Sequence, residues 1–327
     1  MQTSSRCIGR LAPSPTGLLH LGNVWAFLLA WLAVRKQAGS LILRLEDIDP
    51  ARSKEEYRKG ILEDLAWLGL SWDEGPDCGG MYAPYVQSER HRYYQHALDI
   101  LMQKGCLYPC FCTRKEIQAL AQAPNGFEHV PMYPGLCRLM PEATRQSNIA
   151  QGKPYALRVA CEDRSIAFLD RVYGSFAFSP KDFGGDFAVR RSDGVVSYQL
   201  AVAVDDGLMG VTQIVRGRDI LPSTAKQLLL QELLSLPSPK EFAHMPLLLD
   251  EEGERFAKRH KSLAVCSLRA QGVKPWKILG FLGHLAGLLD KPCDVSANDL
   301  VDAFQYEKIP REDIRLTNAM LASAFGA

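Results

Sequence analysis

Residues 10–23 read RLAPSPTGLLHLGN. A short apolar segment enters a Pro/Gly-rich turn, and the turn enters a long apolar stretch that starts near His20. That order gathers polar side chains at a strand-to-helix junction, where unpaired backbone N–H groups and the positive end of the helix dipole attract phosphate. Gly17 and Gly22 leave room for a ligand against the backbone, and His20 and Asn23 supply hydrogen-bond donors. A nucleotide site is expected here on these grounds alone.

Outward from this stretch the pattern predicts a strand over 6–12, a helix over 20–37 that is apolar nearly all round, a strand over 40–46 and a helix over 53–69. Ser53 followed by Glu56 has the spacing of a capping box. Alternating strands and helices argue for a parallel sheet with crossover helices, whose ligands bind beyond the carboxyl ends of the strands, where the 13–17 turn lies. A further helix over 88–104 leads into a cysteine-bearing region over 106–137. Short β-like runs follow from 155 to 178 (YALRVA, SIAFLD, GSFAF) and read as part of an insertion within the nucleotide fold. The α/β pattern resumes with a helix over 198–209, a strand over 212–215 and a helix over 219–236, and the chain beyond Ser262 reads as helical to its end. The fold class expected is thus α/β. Residues 1–105 and 191–262 form two halves of a nucleotide-binding sheet, 106–190 an inserted α+β subdomain and 263–327 a short helical region.

At 327 residues, 47% hydrophobic and 23% charged, the chain has an ordinary globular composition with room for two domains. A net charge of +1 means that any nucleic-acid partner must meet a local patch rather than a basic domain. The amino terminus lacks the basic-then-apolar pattern of a secretion signal, and the apolar run over 24–34 is too short to span a bilayer. Nine cysteines without a signal predict a reducing cytoplasmic setting, no membrane association, and thiols or metal ligands rather than disulfides.

Two further clusters carry chemistry. KRHKS, residues 258–262, follows a strand-like LLLD and the loop EEGERFA. A lysine there could neutralise phosphate charge as pyrophosphate leaves, though on its own such a cluster is usually a solvated basic surface. CFC, residues 110–112, together with Cys137 in YPGLC, has the sulfur content of a tetrahedral zinc site. Buried free thiols are the alternative, and Cys7, Cys78, Cys106, Cys161, Cys266 and Cys293 have no such spacing.

RLAPSPTGLLHLGN, LRLEDID, VAVDDGLMGVTQIVRGRDI and KRHKS, in this order over most of the first 265 residues, together resemble the catalytic core of class I glutamyl-tRNA synthetases. HLGN stands at that family's HIGH motif and KRHKS at its KMSKS motif, with Arg and His replacing the two central residues. The resemblance implies a Rossmann-type sheet, with His20 and Lys261 as catalytic residues at the ATP phosphates and Gly22, Asn23, Lys258 and Ser262 as further ATP contacts. It implies a glutamate site of Arg10, Ala12, Ser14, Glu46, Tyr198 and Arg216, with Glu46 on the α-amino group. The chemistry agrees, since arginine binds carboxylate bidentately and an ammonium calls for a carboxylate. Taken without the family, Arg216 reads as an interior salt bridge with Asp219 or Asp206, and Asp205 and Asp206 as braces of the fold.

The resemblance also implies one structural zinc per chain on Cys110, Cys112, Tyr133 and Cys137, with His129 competing for the place of Tyr133, and magnesium with ATP. The 65 residues after Ser262 suffice for a stem-contact-like region but not for an anticodon-binding domain as well. That matches a short branch of the family, expected to be monomeric. Its members activate L-glutamate with ATP without tRNA and pass it to the queuosine cyclopentene-diol at the wobble position of tRNA(Asp). The alternatives are a shortened enzyme charging the 3′ end of tRNA(Glu), and a non-catalytic paralogue that binds RNA or protein.

Overall fold

The computed structural model describes residues 6–113, 115–117, 132–255 and 263–326. Strand β1 (Ile8–Leu11) leads through the 12–19 turn into helix α1 (Leu21–Arg35), and β2 (Ser40–Leu43) returns parallel to β1 with Ile8 opposite Ser40 and Leu11 opposite Leu43. Helix α1 has no polar face: Val24, Trp25 and every residue from Leu28 to Val34 are buried. Its close seating on β1 requires Gly9, because a Cβ there would collide with the side chain of Val34. Beyond β2 the chain stays extended to Glu46, held by Arg44 N–H to Leu11 O (2.9 Å) and Glu46 N–H to Pro13 O (2.9 Å).

Helix α2 (Glu55–Trp67) begins two residues later than the sequence suggests. The expected capping box does not form: Lys54 is the N-cap residue, and the Ser53 hydroxyl donates instead to Asp49 O at 3.1 Å. Helix α3 (His91–Gln103) then leads to β3 (Leu107–Cys110), and after α4 (Glu142–Ala150) come β4 (Ala156–Val159), β5 (Ile166–Asp170), β6 (Gly174–Phe178) and β7 (Ala188–Arg190). Strands β3, β4 and β7 make a separate three-stranded sheet. The β5–β6 hairpin, read in the sequence with the insertion, instead extends the main sheet.

Helix α5 (Tyr198–Leu208) has Ser197 as its N-cap, accepting Leu200 N–H, and is followed by β8 (Gln213–Gly217), α6 (Ser223–Leu234) and β9 (Glu241–Met245). Strand β9, which the sequence pattern does not announce, pairs parallel with β8 along its length and meets β5 where Asp170 faces Phe242. Thr212 N–H donates to Ile8 O at 2.9 Å, which sets β8 beside β1. The strands therefore lie side by side as β2, β1, β8, β9, β5, β6. Helix α6 starts after Pro222, later than expected, and a 3-10 turn (Arg218–Ile220) occupies the residues between.

Strand β10 (Leu248–Leu249) is followed by α7 (Val265–Ala270), α8 (Pro275–Leu285), β11 (Ile314–Arg315) and α9 (Asn318–Phe325). The end of the chain is therefore not continuously helical. Gly287 at φ +70 leaves the α region just after α8, Pro292 and Pro310 break up the stretch between α8 and β11, and β11 pairs parallel with β10. These segments share one apolar core with α1, to which they contribute Ile278, Phe281, Leu282 and Leu316. Among the described residues no helix is long and apolar enough to cross a membrane.

Candidate active site and metal centre

At the carboxyl ends of β1 and β8, the turn before α1 and the start of α5 enclose a cavity of about 500 Å³. Arg10, Ala12, Ser14, His20, Asn23, Glu46, Tyr198 and Arg216 all line it. Eight of the residues singled out in the sequence, spread over some 200 positions, thus meet at one place. Gly22 lines an adjoining cavity of about 300 Å³, which His20 and Asn23 share with Gly217, Asp219 and Arg255.

The helix start is built as the sequence suggests. His20 is the extended N-cap of α1, its N–H donates to Asn23 Oδ1 at 3.1 Å, and no acidic residue stands in the first turn to offset the positive end of the helix dipole. Lys258, Lys261 and Ser262, like His129, lie outside the described residues. Both flanks of the 256–262 segment reach the site. Ala264 bridges to His20, Val265 N–H donates to Leu19 O at 2.8 Å, and Arg255 pairs with Asp219 at 2.7 Å.

Beneath the cavity lies a buried charge network. Arg44, fully buried, reaches Asp206 at 2.8 Å, Glu46 at 3.0 Å and Asp205 at 3.7 Å. Asp205 also accepts from Arg90 (2.7 Å), Tyr94 OH (2.8 Å) and Gln87 (2.9 Å), and Asp206 lies 3.4 Å from Arg10. Burial opposes the charge of Arg44, but its three carboxylates outweigh that and hold its pKa well above the ordinary value. For Glu46 the balance is reversed. Burial pushes its carboxyl up, and Arg44 only partly offsets this, so a cation entering the cavity would be favoured beside it. Asp205 and Asp206 are braces, as the sequence reading has them.

Arg216 is not the interior salt bridge that its neighbours in sequence suggest. Asp219 is engaged with Arg255 and Asp206 with Arg44 and Arg10; among the described residues no carboxylate lies within ion-pair distance of Arg216. Its guanidinium donates only to neutral acceptors: Thr224 Oγ1 at 2.7 Å, Gln227 Oε1 at 2.8 Å and His244 Nε2 at 3.1 Å. Burial accordingly pushes its pKa down. A buried, oriented and uncompensated cation opens on the cavity, the arrangement that an anionic ligand completes.

The second cluster lies at the end of β3. The sulfurs of Cys110, Cys112 and Cys137 are within 4.8 Å of one another, with Cys112 and Cys137 3.5 Å apart. Tyr133 brings its phenol oxygen to 3.3 Å from Cys110 Sγ, where it accepts the N–H of Cys137 at 3.1 Å. Sulfurs around one tetrahedral zinc stand ~3.8 Å apart for Zn–S bonds of ~2.3 Å. The donor set and its spacing fit a metal ion.

The family described as tRNA synthetases class I (E and Q), catalytic domain, matches residues 7–296. This chain belongs to that family. A protein of Symbiobacterium thermophilum named Glutamyl-Q tRNA(Asp) synthetase is 48% identical over 319 residues, 97% of this chain and 98% of that one. One of the same name from Nitratidesulfovibrio vulgaris is 50% identical over 304 residues, 92% and 93% of the two chains. Among solved structures, a glutamate tRNA ligase from Elizabethkingia meningosepticum in complex with its amino acid superposes with a TM-score of 0.82 at 28% identity, covering 98% of this chain and 69% of that one. The chain is a ligase of the class I aminoacyl-tRNA synthetase type.

Within this synthetase core the structure adds residues that the sequence reading passes over. Arg44 stands in a buried extended segment, LRLE, just past β2, where a charged residue beside apolar ones marks an ion network. His244, fully buried in EFAHM, gives the same kind of signal. Thr224 and Gln227 on α6 and Asp170 at the end of β5 give none.

Proposed function

We propose that this protein activates L-glutamate with ATP, without tRNA, and transfers the glutamyl group to the queuosine cyclopentene-diol at the wobble position of tRNA(Asp). The observation that carries the glutamate half is Arg216, a buried guanidinium with no carboxylate partner among the described residues, in the same cavity as a Glu46 carboxyl that burial leaves short of positive charge. Glutamate supplies both missing charges: its side-chain carboxylate to Arg216 and Arg10, its α-ammonium to Glu46. Tyr198, Ala12 and Ser14 complete the walls. The acceptor half is supported by the near end-to-end likeness to two proteins named Glutamyl-Q tRNA(Asp) synthetase.

In the first step the α-carboxylate oxygen attacks the α-phosphorus of ATP, the bond to the bridging β-phosphate oxygen breaks, and pyrophosphate leaves. His20, Gly22 and Asn23 at the start of α1, with Lys258, Lys261 and Ser262, are assigned to the triphosphate, which arrives as its magnesium complex. In the second step a queuosine hydroxyl attacks the activated carbonyl and AMP departs. No side chain forms a covalent intermediate, so rate comes from positioning and from fixed charge. Cys110, Cys112, Tyr133 and Cys137 would hold one zinc, which would cross-link the end of β3 to the 133–137 turn in a structural role.

Glutamate-dependent ATP–pyrophosphate exchange in the absence of tRNA tests the first half. Exchange with glutamate and little with glutamine is the expected result. Exchange that needs tRNA, or prefers glutamine, or fails altogether, overturns the proposal, and complete failure would favour a non-catalytic paralogue.

A further inference from the structure

Arg216 carries five N–H donors and no acceptor. Among the described residues three are taken, one each by His244, Gln227 and Thr224, which leaves one N–H on each terminal nitrogen for a ligand. What aims that pair is the chain of contacts behind it. His244 Nδ1 lies 2.7 Å from Asp170 Oδ2, which also accepts the backbone N–H of His244 at 2.9 Å. The other carboxylate oxygen accepts Val172 N–H at 3.0 Å and Tyr173 N–H at 2.9 Å. Asp170 and His244 are both fully shielded from solvent.

An arginine Nε always bears hydrogen, so the His244 Nε2 that faces it at 3.1 Å must be the bare nitrogen, and the proton must sit on Nδ1, toward Asp170. We propose that Asp170 and His244 are positioning residues for glutamate selection: Asp170 fixes the tautomer of His244, and His244 orients Arg216 without neutralising it. The inference rests on the reading of Arg216 as the carboxylate receptor. A carboxylate in direct contact would hold the guanidinium as firmly but would consume the charge the substrate needs. An intervening neutral imidazole transmits the orientation and keeps Asp170 from direct contact. His244 meets the requirement of neutrality: burial and the neighbouring Arg216 charge push its pKa down to about 4 against the opposing pull of Asp170. Besides these two groups, the Thr224 hydroxyl stands 3.3 Å from Nε2 and the Phe168 ring packs 6.5 Å away.

The test compares two amides at position 244 in the full-length protein. In His244→Asn the amide stays by Asp170 but does not reach Arg216; in His244→Gln it extends to where Nε2 lies. The expected result is a KM for glutamate raised about 30-fold in the Asn variant, with kcat within about threefold and KM for ATP within about twofold, and recovery to within about threefold in the Gln variant. In an Arg216→Gln background the Asn and Gln variants should be indistinguishable in kcat/KM, because the contact they differ in is gone. A KM for glutamate within threefold in His244→Asn, a parallel rise in KM for ATP, or an Asn–Gln difference that persists without Arg216 would overturn the inference. The unsubstituted protein gives a readout independent of folding defects: long-range proton–nitrogen NMR should find Nδ1 protonated and Nε2 bare, and the opposite tautomer refutes the relay. Failure of the underlying reading is separately visible, as absence of glutamate-dependent exchange in the unsubstituted protein.

Discussion

Arg216→Gln separates a receptor for substrate from a strut of the fold. If the two free N–H groups of Arg216 each make a charge-assisted bond to the substrate carboxylate, at about 2 kcal/mol apiece, their loss costs about 4 kcal/mol, or roughly a thousandfold in kcat/KM for glutamate. The effect on stability is different in kind. The substitution removes three charge-assisted hydrogen bonds to neutral acceptors, each contributing about 1.5–2 kcal/mol, but it also relieves the burial of a charge that has no carboxylate beside it among the described residues. These oppose each other, so the unfolding free energy should change by no more than about 2 kcal/mol. An interior salt bridge would behave otherwise: breaking it would cost about 3–5 kcal/mol of stability. Thermal unfolding with and without glutamate, alongside pyrophosphate exchange, reads both quantities. Glutamate should raise Tm in the unsubstituted protein and leave the variant unmoved. A variant that loses more than about 4 kcal/mol of stability while keeping its KM for glutamate would refute the assignment.

Three other outcomes are expected from the same structure. His244 stays neutral in the fold down to about pH 4, against an ordinary value of 6.5, so as pH falls from 6.5 to 4 the unfolded chain takes up a proton that the native one refuses. That lowers stability by about 3 kcal/mol at pH 4, a loss present below 6.5 and absent above it; urea unfolding at pH 7 and pH 4.5 should show a steeper acid loss in the unsubstituted protein than in His244→Gln. Arg44→Met takes from Glu46 its ion-pair partner and from Asp205 and Asp206 one of two cationic partners each, and should destabilise by at least about 3 kcal/mol in denaturant titration, whereas a surface pair such as Lys54–Glu56 should give under 1 kcal/mol. Elemental analysis should find about one zinc per chain, lost in Cys110→Ser; a metal-free protein of full activity and unchanged Tm contradicts the metal centre.

The strand–turn–helix around residues 10–23 is legible in the sequence because its cause is local: an apolar run, two prolines, a glycine and an uninterrupted apolar helix. The cavity that gathers Arg10, Glu46, Tyr198 and Arg216 is legible only through the motifs they share with a family, since no periodicity brings residues so far apart to one sheet edge. Of the groups that support those residues, His244 shows only as a polar residue in an apolar strand, and Asp170 does not show at all. Asp170 and His244 are 74 positions apart and touch because β5 and β9 become neighbours, a pairing fixed by the whole sheet. Arg216 shows the limit of reading neighbours in sequence, because Asp219, three residues away, turns to Arg255 instead. The carboxyl-terminal region reads as helix by its apolar content, yet Gly287 and two prolines leave, among the described residues, three short α-helices, two 3-10 turns and a strand that docks on β10.

The destination of the glutamyl group separates the queuosine acceptor from the terminal adenosine. Labelled glutamate and ATP should be supplied with tRNA(Asp) that carries queuosine and, separately, with tRNA(Asp) that lacks it. Label should appear only on the first, survive removal of the terminal adenosine and disappear when the queuosine nucleotide is excised. Label that instead tracks the terminal adenosine, on either RNA or on tRNA(Glu), would contradict the account.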